Sequence, residues 1–541
     1  MTIIKGKGVS PGIAHGPIYR FERIQTNTDT TSGDIETEKA RFMTARQEAA
    51  RQLTGLAEKC SGDVSGIFMA HALIAEDEDL EMTAVQLMEN GMSAAEAAEA
   101  SGEQLAATLE AMDDEYMRAR AADIRDVARR ISDCAAGRAA ETPEFTSPVI
   151  IAADDLAPSE TLQFDRKMLL GFITRLGSPN SHTAILARAL GIPAMCCADK
   201  SFENIRSGQE AYIDGASGIA YIEPDQMTKA GLNADIAVQT AMRSKLESYR
   251  DADDVSADGR HMEIGCNIGS PEDINAVIEV NARGVGLMRS EFLYLGRKSW
   301  PGEEEQYQAY RRVLEAMNGR RVIVRTLDIG ADKRPEYCRI PHEENPALGM
   351  RGVRVLLANE DIFRTQLRAL YRASAHGNLA IMFPMIASSW EILRCRSICA
   401  DVRAQLKSEG IGFNENVPLG IMIETPAAAI MADELAAHSD FFSIGTNDLT
   451  QYLLACDRQN SALAEHCDPR HPALMRVVKM AADAAHRAGI WAGICGEAAS
   501  DTSLLESFLD IGIDEISVAP SRVLEMRAAL SKAGKKEEIR I

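Results

Sequence analysis

The sequence predicts a multidomain α/β protein: a swivel-type α/β domain with an inserted helical bundle, then a linker helix, then a C-terminal TIM (β/α)8 barrel. Three observations predict it. A chain of 541 residues exceeds what one hydrophobic core supports. A long Ala/Glu/Arg/Leu-rich stretch from Ile35 to Ala139 carries helical periodicity between two strand-rich regions. From Val255 onward, short apolar runs alternate with helical stretches over a length typical of a barrel.

In chain order, the opening residues are glycine-containing and β-branched and read as strands and turns. They join the later strands in "PVIIAADDLAPSETL", "MLLGFIT" and "AYIDGASGIAYIEP" to form one domain, residues 1–20 and 144–223. The helical insert occupies residues 21–143 and the charged, mostly helical linker residues 224–254. Residues 255–541 form the barrel. Its strands are expected in "HMEIGCNI", "GVGLM", "RVIVRTL", "LAIMFPMI", "PLGIMIE", "FFSIGT" and "WAGICG", and the eighth near "GVRVLL".

Composition excludes several classes. The formal charge of −22 argues against a nucleic-acid partner and favours a basic protein partner. The eleven cysteines show no C-x-x-C pair and no zinc-like spacing. Cys395 and Cys399, one helical turn apart, and the adjacent Cys196 and Cys197 read as small buried apolar residues of a protein in a reducing compartment. The N-terminus has no secretory h-region, and no run reaches the about 18 apolar residues of a membrane span. A cytoplasmic protein without membrane insertion is expected.

Polar residues of the barrel region fall at or just after strand ends: Arg289, Arg325, Asp328, Glu424, Asn447, Asp448 and Cys495. In a barrel that face carries the active site. Glu424 and Asp448 are hard oxygen ligands suited to Mg2+. Arg289, Arg325, Arg351 and Arg458 suit a two-pronged clamp on phosphate and carboxylate. Cys495 offers an exchangeable proton. Outside the barrel, "LGSPNSHTAILARALGIPAM" places His182 at the mouth of a helix, behind Ser181 as N-cap. A phosphate carried on His182 would meet free amides and the positive end of the helix. The plainer reading of such a histidine is a surface or capping residue.

These motifs bear a resemblance that spans nearly the whole chain. "SHTAILARALGIPA", "DIRDVARR", "GLMRSEF", "RTLDIGADK", "ENPALGMRGVR", "IMFPMI", "IETPAAA", "SIGTNDLTQYLLACDR" and "GICGEAASD" resemble enzyme I of the bacterial phosphoenolpyruvate:sugar phosphotransferase system. The resemblance implies phosphoryl transfer from phosphoenolpyruvate to the enzyme's own histidine, then to the carrier HPr, with release of pyruvate. It implies His182 as the phosphorylated residue, with Thr161 in contact with it. Arg289, Arg325 and Arg458 then bind substrate, Asn447 donates to the phosphate, and Glu424 and Asp448 hold Mg2+. Arg351 supports the site, and Cys495 protonates the enolate. The helical insert docks HPr and the barrel forms a homodimer; the acidic run Glu76–Asp79 suits a basic carrier, although the plainer reading of such a charge run is a solvent-facing surface. The chain departs from the family pattern at Gly177–Asn180 before "SHT", at Ala331, and within "GEAASD". Two rivals are weighed. A pyruvate phosphate dikinase or phosphoenolpyruvate synthase needs a large ATP-binding domain, for which the region before the histidine is too short and too helical. A non-catalytic regulatory phosphoprotein has no need of the intact Arg, Glu, Asp, Asn and Cys set.

Overall fold

The computed structural model of the chain describes residues 1–21, 34–59, 62–111, 115–137, 145–156, 164–177, 184, 187–188, 191–295, 297, 299–330, 337–338, 343–458, 460, 463 and 465–534. Two compact units make up the chain, Met1–Arg243 and Ser244–Ile541.

The first unit holds an eight-stranded sheet. Its strands are β1 (Thr2–Lys5), β2 (Lys7–Ser10), β3 (Ile13–Phe21), β4 (Val149–Ala153), β5 (Leu169–Thr174), β6 (Ala194–Cys196), β7 (Glu210–Asp214) and β8 (Ile219–Ile222). The spatial order is β1-β8-β7-β3-β4-β5-β6-β2. The parallel pairing of β3 with β4 brings residues from either side of the helical insert side by side, Ile18 opposite Ile150. The "VIIAA" run of β4 is buried along its whole length, as a central parallel strand requires.

Between β3 and β4 lie α1 (Ile35–Lys59), α2 (Gly62–Ala75), α3 (Glu78–Glu89), α4 (Ala94–Glu110) and α5 (Glu115–Ala135). They bury their own core of Phe42, Leu53, Phe68, Leu80 and Ile131. The acidic run is partly structural. Asp77 caps α3, its carboxylate accepting from the Asp79 and Leu80 amides. Ser93 and Glu96 form a capping box that starts α4. The first unit continues into α6 (Gln226–Glu247), which Lys229 joins to Glu210 and Asn233 to Tyr212.

The second unit is a closed parallel barrel of β9 (Glu263–Ile268), β10 (Val285–Met288), β11 (Val322–Arg325), β12 (Leu379–Phe383), β13 (Leu419–Ile423), β14 (Phe441–Gly445), β15 (Trp491–Cys495) and β16 (Glu515–Val518). Seven expected strand positions hold and the eighth does not. "GVRVLL" contains the helix Val353–Ala358, and the eighth strand is "EISV", pairing with both β15 and β9. The reason is local. Gly352 takes φ +58°, which breaks any strand before Val353, and Val353, Val355 and Leu356 bury one side of a short helix. Glu515 hides the strand in the sequence, because a carboxylate at its first position reads as surface. It lies buried and accepts from Arg321, which also bonds Glu263. The Arg321 guanidinium stacks over Trp491, itself stacked on Phe441. Arg527, fully buried, holds Asp254 at 2.7 Å and donates to the Arg250 carbonyl, which fixes the strand-free lead into the barrel.

Within the bundle, His71 of α2 is wholly buried between Asp123 and Asp126 of α5, at 3.2 and 3.4 Å. Burial alone pulls an imidazole pKa down. The two carboxylates outweigh it and push His71 from 6.5 up to about 9. Because the folded value is the higher one, this stabilisation is complete below pH 6.5 and is lost as pH rises through about 9. The loss amounts to about 3 kcal/mol. Hydrogen exchange of α2 and α5 amides, corrected for intrinsic rates, should show protection falling across that window in the wild type and flat in His71→Gln. Equal pH dependence in both would remove His71 from this role.

Candidate active site

The polar side chains at the C-terminal strand ends converge. Asp328 follows β11, Glu424 follows β13, and Asp448 lies in the first turn of helix Thr446–Leu454 after β14. One carboxylate oxygen from each lies within 4.8 Å of the others. Carboxylates this close need counter-charge, and Arg351 supplies it to Asp328 and Asp448. Its guanidinium bonds Asp328 at 3.0 Å and Asp448 at 3.1 Å, and also the Tyr452 hydroxyl at 3.0 Å. Gly352, next to Arg351, has no room for a side chain: a Cβ there meets Met385 at 2.9 Å and Asp328 at 3.1 Å. Arg325, at the end of β11, bonds Glu291 at 2.8 Å and Asp328 at 3.0 Å.

Burial would raise the Asp328 pKa, but Arg325 and Arg351 hold it below the ordinary carboxylate value. Glu424 goes the other way. Burial, then Asp328 and Asp448, push its carboxyl up to about 8, while the Met385 amide donates to it at 2.6 Å. The set is all hard oxygen, so it fits a hard divalent cation. Glu424 and Asp448 are expected ligands. Asp328 is the member that sequence reasoning placed at a strand end but left out of the metal set. Its signal was the short spacing to Arg325 in "RTLDIG".

The other site residues are distributed around this cluster. Arg289 follows β10, is exposed, and forms no ion pair among the described residues. Arg458 lies 3.8 Å from Asp448 and is about half exposed. The side-chain carbonyl of Asn447 accepts from the Glu497 amide at 2.8 Å, which orients its NH2 group. Cys495, the last residue of β15, is buried, and the Ser443 hydroxyl donates to its sulfur at 3.7 Å. Burial pushes the thiol up to about 11, so it holds its proton at neutral pH. His182 and Thr161 fall outside the described residues, and so do Ala331 and Ser178–Asn180 of the departing loops.

The C-terminal mouth of the barrel thus gathers carboxylates, arginines and a protonated thiol, a set suited to an anionic ligand and a divalent cation. Family models agree with it. The chain matches a PEP-utilising enzyme, PEP-binding domain, over residues 243–534, the corresponding N-terminal domain over 5–120, and the mobile domain over 145–218. It is 40% identical to a phosphoenolpyruvate-protein phosphotransferase of Listeria innocua, covering 99% of this chain and 95% of that one. It is 41% identical to one of Geobacillus stearothermophilus, over 99% and 94%. A solution structure of an Enzyme I protein is 30% identical, covering 44% of this chain and 99% of the other at a TM-score of 0.35. The chain belongs to the phosphoenolpyruvate-protein phosphotransferase family and is an enzyme.

The Glu424 environment yields a test. A cation needs the carboxylate form, and below about pH 8 Glu424 carries a proton. Divalent-cation binding at pH 7 should therefore release a proton, and apparent affinity should rise with pH until about 8. Calorimetry in two buffers of different ionisation heat measures the release. Glu424→Gln should abolish it and weaken binding by about tenfold or more. Proton release unchanged in Glu424→Gln would place the titrating group elsewhere.

Proposed function

We propose that the protein transfers the phosphoryl group of phosphoenolpyruvate to His182, then to the histidine of an HPr-type phosphocarrier, and releases pyruvate. This is the first step of sugar uptake by a phosphotransferase system. The observation that carries the reading is the convergence of Asp328, Glu424 and Asp448 with Arg325, Arg351 and Arg458 beside a buried, protonated Cys495.

In this reading Arg289, with no ion pair among the described residues, and Arg325 and Arg458 take the phosphate and carboxylate of the substrate. Asn447, oriented by Glu497, donates to the phosphate. Arg351 holds Asp328 and Asp448 in register. Glu424 and Asp448, with Asp328 adjoining, would hold Mg2+, which would supply charge neutralisation at the phosphoryl oxygens. The P–O bond of phosphoenolpyruvate breaks as a P–N bond forms on the neutral His182 imidazole. The enolate left behind takes the Cys495 proton at its methylene carbon and becomes pyruvate.

The supporting division of the chain is residues 1–20 and 144–223 for the phosphohistidine domain, 21–143 for HPr docking, 224–254 for the linker and 255–541 for substrate binding and dimerisation. A homodimer through the barrel unit is part of the same reading. No helix among the described residues is long and apolar enough to cross a membrane, which accords with a place in the cytoplasm.

His182→Ala should take up no label from radiolabelled phosphoenolpyruvate while keeping its circular dichroism. A folded His182→Ala protein labelled at the normal rate would falsify the assignment. Cys495→Ala should bind phosphoenolpyruvate normally but form pyruvate about 100-fold or more slowly. Deuterium entry at the methyl carbon in heavy water reports the same step. Wild-type rates of both would leave Cys495 as packing.

A further inference from the structure

The loop after helix Thr446–Leu454 carries a feature that phosphoryl transfer does not need. Cys456 and Cys467 form a disulfide, eleven residues apart, with their Cα atoms 6.0 Å from each other. The spacing fits no familiar redox motif, and the other described cysteines are free.

The position of the crosslink is what gives it meaning. Helix Thr446–Leu454 begins with Asn447 and Asp448 and ends at Ala455 in the left-handed region, φ 53°. Cys456 follows at once, buried, its amide donating to the Gln451 carbonyl at 3.1 Å. Two residues on, the Arg458 amide donates to the Gln451 side chain at 3.2 Å, and its guanidinium reaches Asp448. At the other end, Arg470 bonds Asp501, just past the β15 strand end that bears Cys495. The disulfide therefore closes the loop that carries Arg458 directly behind the helix that bears Asn447 and Asp448. The crosslink closes a loop of eleven residues that carries Arg458, which is half exposed and whose guanidinium lies 3.8 Å from Asp448. Cys467 is only partly buried, so an attacking thiolate has access to its sulfur.

We propose that Cys456 and Cys467 form a redox-controlled tether: oxidised, it holds Arg458 at the substrate site, and reduced, it frees the loop and weakens phosphoenolpyruvate binding. The inference rests on the reading of Arg458 as a substrate-binding arginine. Closure is ordinary thiol–disulfide exchange. The two cysteine thiols lose two electrons and two protons and form one S–S bond. A small-molecule or protein disulfide accepts them and leaves as two thiols. Opening is the reverse, with a dithiol as reductant. A freed loop must be ordered again on every binding event, which raises KM and leaves kcat near its oxidised value.

The test compares the full-length protein oxidised with glutathione disulfide and reduced with dithiothreitol, each desalted before assay. A non-reducing peptide map should show the Cys456 and Cys467 peptides linked only in the first. Reduction should raise KM for phosphoenolpyruvate by about three- to tenfold and speed trypsin cleavage after Arg458, both reversed by reoxidation. Cys467→Ser, chosen because Cys467 is the less buried partner, should sit at the reduced values whatever the treatment; Cys456→Ser checks the same point from the other side. An unlinked oxidised protein, an unchanged cleavage rate, or a changed cleavage rate with an unchanged KM would each overturn the tether. If neither redox state forms pyruvate, the phosphotransfer reading fails instead, and cleavage after Arg458 alone decides whether the loop is redox-controlled.

Discussion

The site is organised by repulsion held in check. Asp328, Glu424 and Asp448 bring carboxylate oxygens within 4.8 Å of one another in a buried setting, an arrangement that folds only because guanidinium groups stand among them. Arg351 spans two of the three and Arg325 shares Asp328. Each arginine comes from a different part of the barrel rim, so the ion network also stitches the loops that follow β11 to those around helix Thr446–Leu454. Glycine at 352 is part of the same constraint, because a bulkier residue would push Arg351 off Asp328.

That dependence explains which parts of the molecule were legible in the sequence. Buried parallel strands announce themselves as apolar runs, and β12, β13 and β14 are buried from end to end. The eighth strand escaped because its first residue is Glu515, a buried carboxylate whose partner Arg321 is distant in sequence. "GVRVLL" has strand composition but follows Gly352, whose positive φ no residue pattern reveals. At the site, residue types and strand-end positions were readable for Glu424, Asn447, Asp448 and Cys495. The participation of Asp328 in the carboxylate cluster was not, since it follows from a distance in space. The Cys456–Cys467 pair was hidden for the same reason. The helical insert was plain from periodicity, yet the Asp77 cap turned part of an apparent charged face into a fold element.

The two ends of the barrel use buried charge differently. At the N-terminal end, Arg321 is engaged by Glu263, Glu515 and the face of Trp491. Such closure stabilises a barrel. At the C-terminal end Arg289 has no ion pair among the described residues, and Arg458 only a long one to Asp448. Arg325, though paired with Glu291 and Asp328, keeps a buried Nε without a hydrogen-bond partner among the described residues, so all three arginines retain donors for an anionic substrate.

Two protonated groups then remain in the same buried space, and their order of release follows from what surrounds each. Glu424 sits against Asp328 and Asp448, is raised by burial and by those two charges, and titrates near 8. Cys495 is raised by burial and titrates near 11, with the Ser443 hydroxyl offsetting part of the rise. A cation drawn to the three carboxylates competes with the Glu424 proton, which lies among its own ligands. It has far less leverage on the thiol, whose sulfur is a soft donor outside the oxygen cluster and whose proton burial holds more tightly. Loading the site therefore discharges Glu424 and spares Cys495. The one proton that must survive until an enolate appears is the one the surroundings hold most tightly.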